Sequence, residues 1–543
     1  MDTKITLKHD LQQILQSTPA ERTRAIIDSP HTREILEQLS PQETYMILKE
    51  SWGTDSQILL QYVPPETVCH CIDMDCWDRD TLAFDSLLDW LWELYNSSLD
   101  TLQDALQSLD LDILVLLYQS YIDVVQVVPT DESIADLLDA GYESFDDVYY
   151  FMFREEDERM QLLKDMLSLI FTHYQNTYYS IMEAVIWELR SSIEECVYER
   201  RSLRLMEMGF PPPDEAMSIY RRIRPGKLVN AGVSKEKVPI IDRESDLLPA
   251  LYMDHLAENR DLIVSTMAEA SPETKERFIY EMIYLANKII MADYKPLNDV
   301  STLKSSIEKA SSLTSLGLAV AMKESGKQAK EVLETINAET LFSLGYNSLL
   351  DQKSRLKEIL RTIDLSMIPT GMSGFVEGFM QKRPLFGTEE FSTLDQLEEV
   401  TRGIDMIEYM AQVLESLAWD KGSASLKGTN TGSSVDLEAV LLTSLVNNAV
   451  SQSSVFIPVN LADLVSFLKK VSVGKRSGKR ELVPEFRQNL RSFLSSLQKE
   501  ARRDLVDDLA EILIKRFDDE LSGILEPEDL DPRYITCFVV RIS

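Results

Sequence analysis

Apolar and polar positions recur with a fixed period at the start of this chain. A stripe of Ala25, Ile26 and Ile27 is followed by a polar break and a second stripe of Ile35, Leu36 and Leu39. The order repeats as Met46, Ile47 and Leu48, a break, and Ile58, Leu59 and Tyr62. Each double stripe opens on a helix-start signal: Thr18-Pro19-Ala20-Glu21, Ser40-Pro41-Gln42-Glu43 and Val63-Pro64-Pro65-Glu66, beginning 22 and then 23 residues apart. A hydroxyl at the cap accepts a bond from a first-turn N–H, Pro at the first helical position needs no donor, and Glu closes the capping box. Val63 makes the third start weaker. Two short helices cannot bury both apolar faces alone, and stacking on neighbours solves this. The pattern predicts an N-terminal α-superhelix of short helix pairs.

The period lengthens after Leu82. Phe84, Leu87, Leu88, Leu91, Trp92 and Tyr95 mark one face of an amphipathic helix. An apolar run from Leu109 to Val128 ends at Pro129. From Tyr142 to Met208 there is neither Gly nor Pro, which predicts one or two long helices, with Met166–Met182 read as a buried helix. The stretch around Arg224-Pro225-Gly226 to Pro239 has no helical period and reads as a linker. Ser271-Pro272-Glu273 and Asn337-Ala338-Glu339 are further helix starts. Gly371–Gly387 reads as an ordered loop, Lys421–Ser434 as a flexible loop and Lys469–Arg480 as a basic loop. The last ten residues look like a lone strand without an assigned partner. The expected organisation is short-helix repeats over 1–130, long helices over 131–224, a linker at 225–245, a second helical domain over 246–420 and a C-terminal helical region over 435–543. The class is all-α.

Composition supports that class: 19 Gly and 20 Pro in 543 residues are few breakers, and 44% hydrophobic residues suit a folded chain. The formal charge of −35 changes the picture of partners. It disfavours phosphate backbones and anionic lipid and favours basic partners or cations. Five scattered cysteines do not form a disulfide framework, no apolar secretory signal opens the chain, and polar residues within Met166–Met182 argue against membrane insertion. The reading is a cytoplasmic protein of a bacterium-like cell.

Four clusters invite chemistry. Cys69-His70-Cys71 with Cys76 offers zinc ligands at poor spacing, whereas the repeat register sets Cys69 and Cys71 where Met46 and Leu48 stand, as core. Asp73, Asp75, Asp78 and Asp80 lack the Gly and Glu of an EF-hand and read as a solvated turn, with a diffuse cation site as the alternative. His173 to Asn176 read as hydrogen-bonded packing of a buried helix, or else a polar site. Arg200, Arg201 and Arg204 share a helix face and read as internal salt bridges, or else an anion site. Trp77, Trp90 and Trp92 are either interface anchors or core. No nucleophile elbow, zinc-protease helix, phosphate loop or dinucleotide fingerprint occurs. No catalytic, cofactor-binding or metal-binding residues are assigned.

The Ser-Pro-Gln-Glu units resemble the cytoplasmic superhelical domain of the MgtE magnesium-channel family over about residues 15–130, without a pore domain after it. Cys71-Ile72-Asp73-Met74-Asp75-Cys76-Trp77, Met208-Gly209-Phe210-Pro211, Asp214 to Tyr220, Leu285-Ala286-Asn287-Lys288 and Arg383-Pro384-Leu385-Phe386 make the whole chain resemble an uncharacterised bacterial domain-of-unknown-function family (DUF6178-like), which brings no functional residues. The function expected is a non-enzymatic scaffold or regulatory protein that binds another protein through its helical surface. A divalent-cation-responsive module and an enzyme with an unrecognised helical site are the alternatives.

Overall fold

Ser40 begins its helix as the sequence requires. Its Oγ accepts the Glu43 N–H, and the Glu43 carboxylate accepts the Ser40 N–H, a complete capping box. The computed structural model describes residues 19–127, 134–155, 158–222, 262–417, 419, 426, 428–431, 435–474, 480–498, 500–521 and 526–542. The expected linker at 225–245 and most of Lys421–Ser434 lie outside them. The fold is all-α with small sheets, and the chain divides into two units, Met1–Gly345 and Tyr346–Ser543.

In the first unit the short helices come in pairs: α1 (Pro19–Ile27) with α2 (Thr32–Gln38), α3 (Pro41–Glu50) with α4 (Ser56–Leu60), then α5 (Pro65–Asp75). Helix α5 starts without a side-chain cap; its N-cap is Pro64, one residue after the Val63 that the repeat register puts there. A two-residue ribbon, β1 (Trp77–Asp78) and β2 (Thr81–Leu82), turns the chain into α6 (Phe84–Ser97), α7 (Leu99–Ser108) and α8 (Leu111–Tyr121). The amphipathic stripe expected after Leu82 faces inward at Leu87, Leu88 and Leu91, each at most 2% exposed, whereas its Trp92 is 38% exposed.

The long helices expected from 142 to 208 are interrupted by a sheet. Strands β3 (Ile122–Gln126), β4 (Glu143–Ser144) and β5 (Tyr149–Phe153) pair antiparallel in the order β3-β5-β4, around α9 (Ile134–Asp139). The segment YYFMF needs no breaker to be a strand, because aromatic residues favour the pleated surface. Side chains make the turn before it. Asp146 Oδ1 accepts the N–H groups of Val148 and Tyr149, and Ser144 Oγ accepts those of Asp146 and Asp147, so Gly and Pro are not required.

Three helices follow, α10 (Glu158–His173), α11 (Gln175–Trp187) and α12 (Arg190–Glu207). The single buried helix expected over Met166–Met182 is therefore two, broken at Tyr174, whose φ of −138° and ψ of 59° are not helical. After α13 (Pro213–Ala216) and a 3₁₀ turn at Met217–Tyr220 come α14 (Leu262–Glu269), α15 (Pro272–Ala292), α16 (Val300–Ser325), α17 (Ala329–Thr335) and α18 (Ala338–Ile359). Ser271 and Asn337 cap their helices as expected, accepting the N–H groups of Thr274 and Thr340. Helices α16 and α18 cross at Gly317 and Gly345: a Cβ on Gly317 would lie 1.8 Å from the Leu341 carbonyl oxygen.

The second unit takes the remainder of α18 and adds α19 (Thr370–Phe379), α20 (Leu394–Ser416), α21 (Leu437–Ser451), α22 (Leu461–Val471), the hairpin β6 (Ser472–Gly474) and β7 (Arg480–Leu482), α23 (Pro484–Leu497) and α24 (Arg503–Leu521). Two expectations change here. Gly371–Gly387 is not all loop, because α19 occupies its first half; Gly378 stays in the helix because a Cβ there would lie 2.8 Å from the Gly387 carbonyl oxygen. In its described parts the basic loop is the last turn of α22 followed by a hairpin. The C-terminal strand-like segment forms single bridges, Val459 with Val540 and Thr429 with Arg541. Cys537, Phe538, Val539 and Val540 are fully buried.

Candidate functional site

The repeat register turns into burial with one exception. Met46 and Leu48 are core, and so are Cys69 and Cys71 at the equivalent places. Ile35, Leu36 and Leu39 are at most 7% exposed in the first copy. Their equivalents in the second copy divide: Leu59 is fully buried, whereas Ile58 is 43% and Tyr62 39% exposed. Two apolar positions of the repeat thus stand in solvent.

Tyr62 lines a groove of about 160 Å³. Leu60, Val63, Val68 and Ala105 give it an apolar floor, Tyr62 and the Pro64-Pro65 turn one side, and Arg33, Glu37 and Asp104 a charged rim. Helices α2, α4, α5 and α7 each contribute. Two hydrogen bonds hold the margin: Ser97 Oγ donates to the Gln57 carbonyl at 2.7 Å, and Gln61 Nε2 donates to the Ser97 carbonyl at 3.1 Å.

The end of α5 carries a charge network. Asp73 and Asp75 are buried rather than solvated; Asp78 and Asp80 sit on the exposed β1–β2 ribbon. Helix geometry explains the difference, since α5 continues to Asp75 and points both carboxylates at partners on other elements. Arg204 forks onto Asp73, with Nε to Oδ2 at 2.6 Å and Nη2 to Oδ1 at 3.0 Å, and its Nη1 reaches Asp110 at 2.7 Å. Burial pushes the Asp73 carboxyl up, and Arg204 pulls against that shift. Arg201 donates to the Asp73 carbonyl at 2.8 Å and lies over the Trp77 ring; burial lowers it to about 10. Arg200 pairs with Asp112 at 2.9 Å. The arginine cluster is internal salt bridging. Asp75 accepts from Trp90 Nε1 at 2.7 Å, Lys49 Nζ at 3.0 Å and Tyr45 OH at 3.1 Å.

Burial raises the Cys69, Cys71 and Cys76 thiols, Cys69 to about 12, and lowers the neighbouring His70 imidazole. Among the described residues no group of three or more His, Cys, Asp or Glu is placed to hold a metal ion. His173, Gln175 and Asn176 are exposed at the α10–α11 junction, not inside a core, because the helix breaks there; the Tyr174 hydroxyl accepts from Gln103 and Gln107. Trp90 is fully buried and belongs to the core, Trp77 is half-buried, and Trp92 is 38% exposed and stacks on Tyr95. The remaining motif residues tie elements together. Gln42 donates to the Met208 carbonyl, Tyr220 OH to Asp293 at 3.0 Å, and Lys288 Nζ to Glu339 at 2.8 Å. In the second unit a cleft of about 820 Å³ runs between the end of α18 and α20, where Arg355 is held by Asp405 and Glu408.

Fold and groove together describe an all-α protein with paired short helices at its start. The chain belongs to a family of unknown function, DUF6178, whose model matches residues 1–541. No curated protein and no solved structure matches it, so the likeness to the magnesium-channel domain is not shown. No helix among the described residues is long and apolar enough to cross a membrane.

Proposed function

We propose that this protein is a scaffold or regulatory protein that binds another protein in the groove across its short-helix repeats. The observation that carries the reading is the unequal burial of equivalent positions. Ile35 and Leu39 are covered by the fold; Ile58 and Tyr62, in the corresponding stripe of the next repeat, are not. A chain that keeps apolar residues there leaves room for a partner to supply the missing cover. Tyr62 suits an anchor, with a large rigid ring and a polar tip, and aromatic residues dominate the binding energy of protein interfaces. The rim charges of Arg33, Glu37 and Asp104 favour orientation over bulk affinity.

Asp73 and Asp75 bind cationic side chains of the protein itself, and a divalent-cation reading draws no support from them.

Affinity capture from native lysate with wild type and Tyr62→Asp side by side tests the proposal. A protein retained by wild type and lost by the variant, at equal melting temperature, is the expected result. Identical bound proteins, or none, would count against the groove.

A further inference from the structure

We propose that two copies of this chain join edge to edge through β3, so that the three-stranded sheet of the first unit continues into that of a second molecule. The hydrogen-bond register leaves this edge open. The Tyr121 carbonyl accepts the Arg154 N–H, and the Val127 N–H donates to the Val148 carbonyl. Residue pairs along an antiparallel ladder alternate between bonded and non-bonded. With Ile122 opposite Phe153 and Gln126 opposite Tyr149, the residues that turn their N–H and C=O groups to β5 are Tyr121, Asp123, Val125 and Val127. Ile122, Val124 and Gln126 turn theirs away from the sheet. The Ile122 N–H closes α8 on the Tyr118 carbonyl. The Ile122 carbonyl and the backbone groups of Val124 and Gln126 make no hydrogen bond among the described residues.

The two edges of the sheet differ. Proteins blunt an edge with a short strand, Lys, Pro or a bulge. Strand β4 is two residues long, and its Glu143 is paired with Lys164. Strand β3 has five residues, IDVVQ, in unbroken register and with neither Lys nor Pro. Its one charge, Asp123, is neutralised by Arg154 at 2.8 Å. Helix α11 lies on the face of the sheet that carries Gln126 and Tyr149. The Gln126 amide donates to the Tyr149 hydroxyl, which reaches Glu183, and the Tyr149 ring meets that of Tyr179. Tyr179, Glu183 and Trp187 form one stripe of α11. Tyr179 and Trp187 are exposed, Trp187 by 73%.

A second copy is the occupant this edge fits. A two-fold axis at Val124 lets each Val124 N–H meet the partner's Val124 carbonyl, and each Gln126 N–H the partner's Ile122 carbonyl. Only the Gln126 carbonyl stays on water, because the Ile122 N–H is already held by α8. The same register sets Asp123 opposite the partner's Val125, so no like charges face each other across the seam. It also puts both α11 helices on one side of the joined sheet, which gives Tyr179 and Trp187 apolar neighbours. The pair is closed: each β3 edge covers the other, and no further copy can add. Two chains of charge −35 repel one another at long range, so the pairing strengthens as salt screens them.

Light scattering after size exclusion, on the full chain over a range of concentrations and of sodium chloride, tests the pairing. The wild type should approach twice its 62.0 kDa mass as concentration rises, and sooner at higher salt. Val124→Pro removes an outward N–H and leaves the ladder to β5 whole, since an edge strand tolerates Pro where the missing donor faces solvent. It should stay at 62.0 kDa. Disulfide trapping reads the register. Opposed bonded residues have Cα atoms about 5.5 Å apart, within disulfide reach, so Val124→Cys should cross-link to itself on oxidation. Gln126→Cys should not, because the two copies of that residue lie about 14 Å apart along the strands. Both are made together with Cys196→Ser, which removes an exposed native thiol. Gln126 is the more exposed of the two positions, so random collision would favour it instead. Should Val124→Pro disturb the sheet, the two cysteine variants carry the test. A wild type that stays at 62.0 kDa throughout, a Val124→Pro chain that pairs as the wild type does, or trapping through Gln126→Cys as fast as through Val124→Cys would overturn the proposal.

Discussion

Single carboxylates show how differently one functional group is used in this protein. The Asp73 side chain is 1% exposed and takes both nitrogens of the Arg204 fork. Removing one partner of such a pair leaves the other charge buried with less compensation. Asp73→Asn should therefore destabilise the first unit by about 3 kcal/mol, measured by urea denaturation. Glu520 has the opposite balance. Burial alone would push its carboxyl up, but hydrogen bonds from Thr536 and the Cys537 N–H outweigh it and hold the group below its ordinary value of 4.5. A depressed carboxyl adds stability that is complete above the ordinary value and is lost as pH falls through the lower folded value. Glu520→Gln should cost about 1.5–3 kcal/mol at pH 7, the range for a hydrogen bond to a charged group, and the gap from wild type should close toward about pH 3. A gap that does not change with pH would mean that the carboxylate charge is not what holds Thr536 and Cys537.

At the scale of elements, caps and crossings decide what was legible. The starts at Ser40, Ser271 and Asn337 could be read from the sequence because a cap is a local device, made by residues three positions apart. Ser40→Ala should cost about 1 kcal/mol in chemical denaturation. Strand β5 could not be read, because its turn is built from Ser144 and Asp146 side chains, and its partner Ile122–Gln126 lies more than twenty residues upstream. The close crossing of α16 and α18 was equally hidden: two glycines in helical stretches do not announce that they meet. Gly317→Ala should destabilise by about 3 kcal/mol, since the new Cβ meets backbone that no rotamer change moves away. Gly374→Ala, in α19 with nothing within 4 Å of the added carbon, should instead be neutral or stabilising by up to about 1 kcal/mol. Opposite signs for the two glycines in thermal unfolding would establish that contact, not helix propensity, sets the difference.

For the whole molecule, periodicity carries the account from sequence to surface. The repeat identified Met46, Leu48, Cys69 and Cys71 as one set of core positions, and they are buried together. It also marked Ile58 and Tyr62 as apolar, but periodicity records which residues repeat and not which neighbour covers them. Their exposure, and the groove that Tyr62 lines, required the packing of α2, α4, α5 and α7. The buried arginine and aspartate partners were legible only as charges on helix faces, because Arg204 finds Asp73 across 131 residues of chain. The central claim is that a protein partner covers the groove. Hydrogen exchange of the full chain, alone and with the captured partner, tests it most directly. The account predicts slowed exchange confined in the first unit to the Gln57–Val68 and Leu99–Ala105 segments, and no slowing there in Tyr62→Asp. Protection elsewhere with these segments unchanged would contradict it.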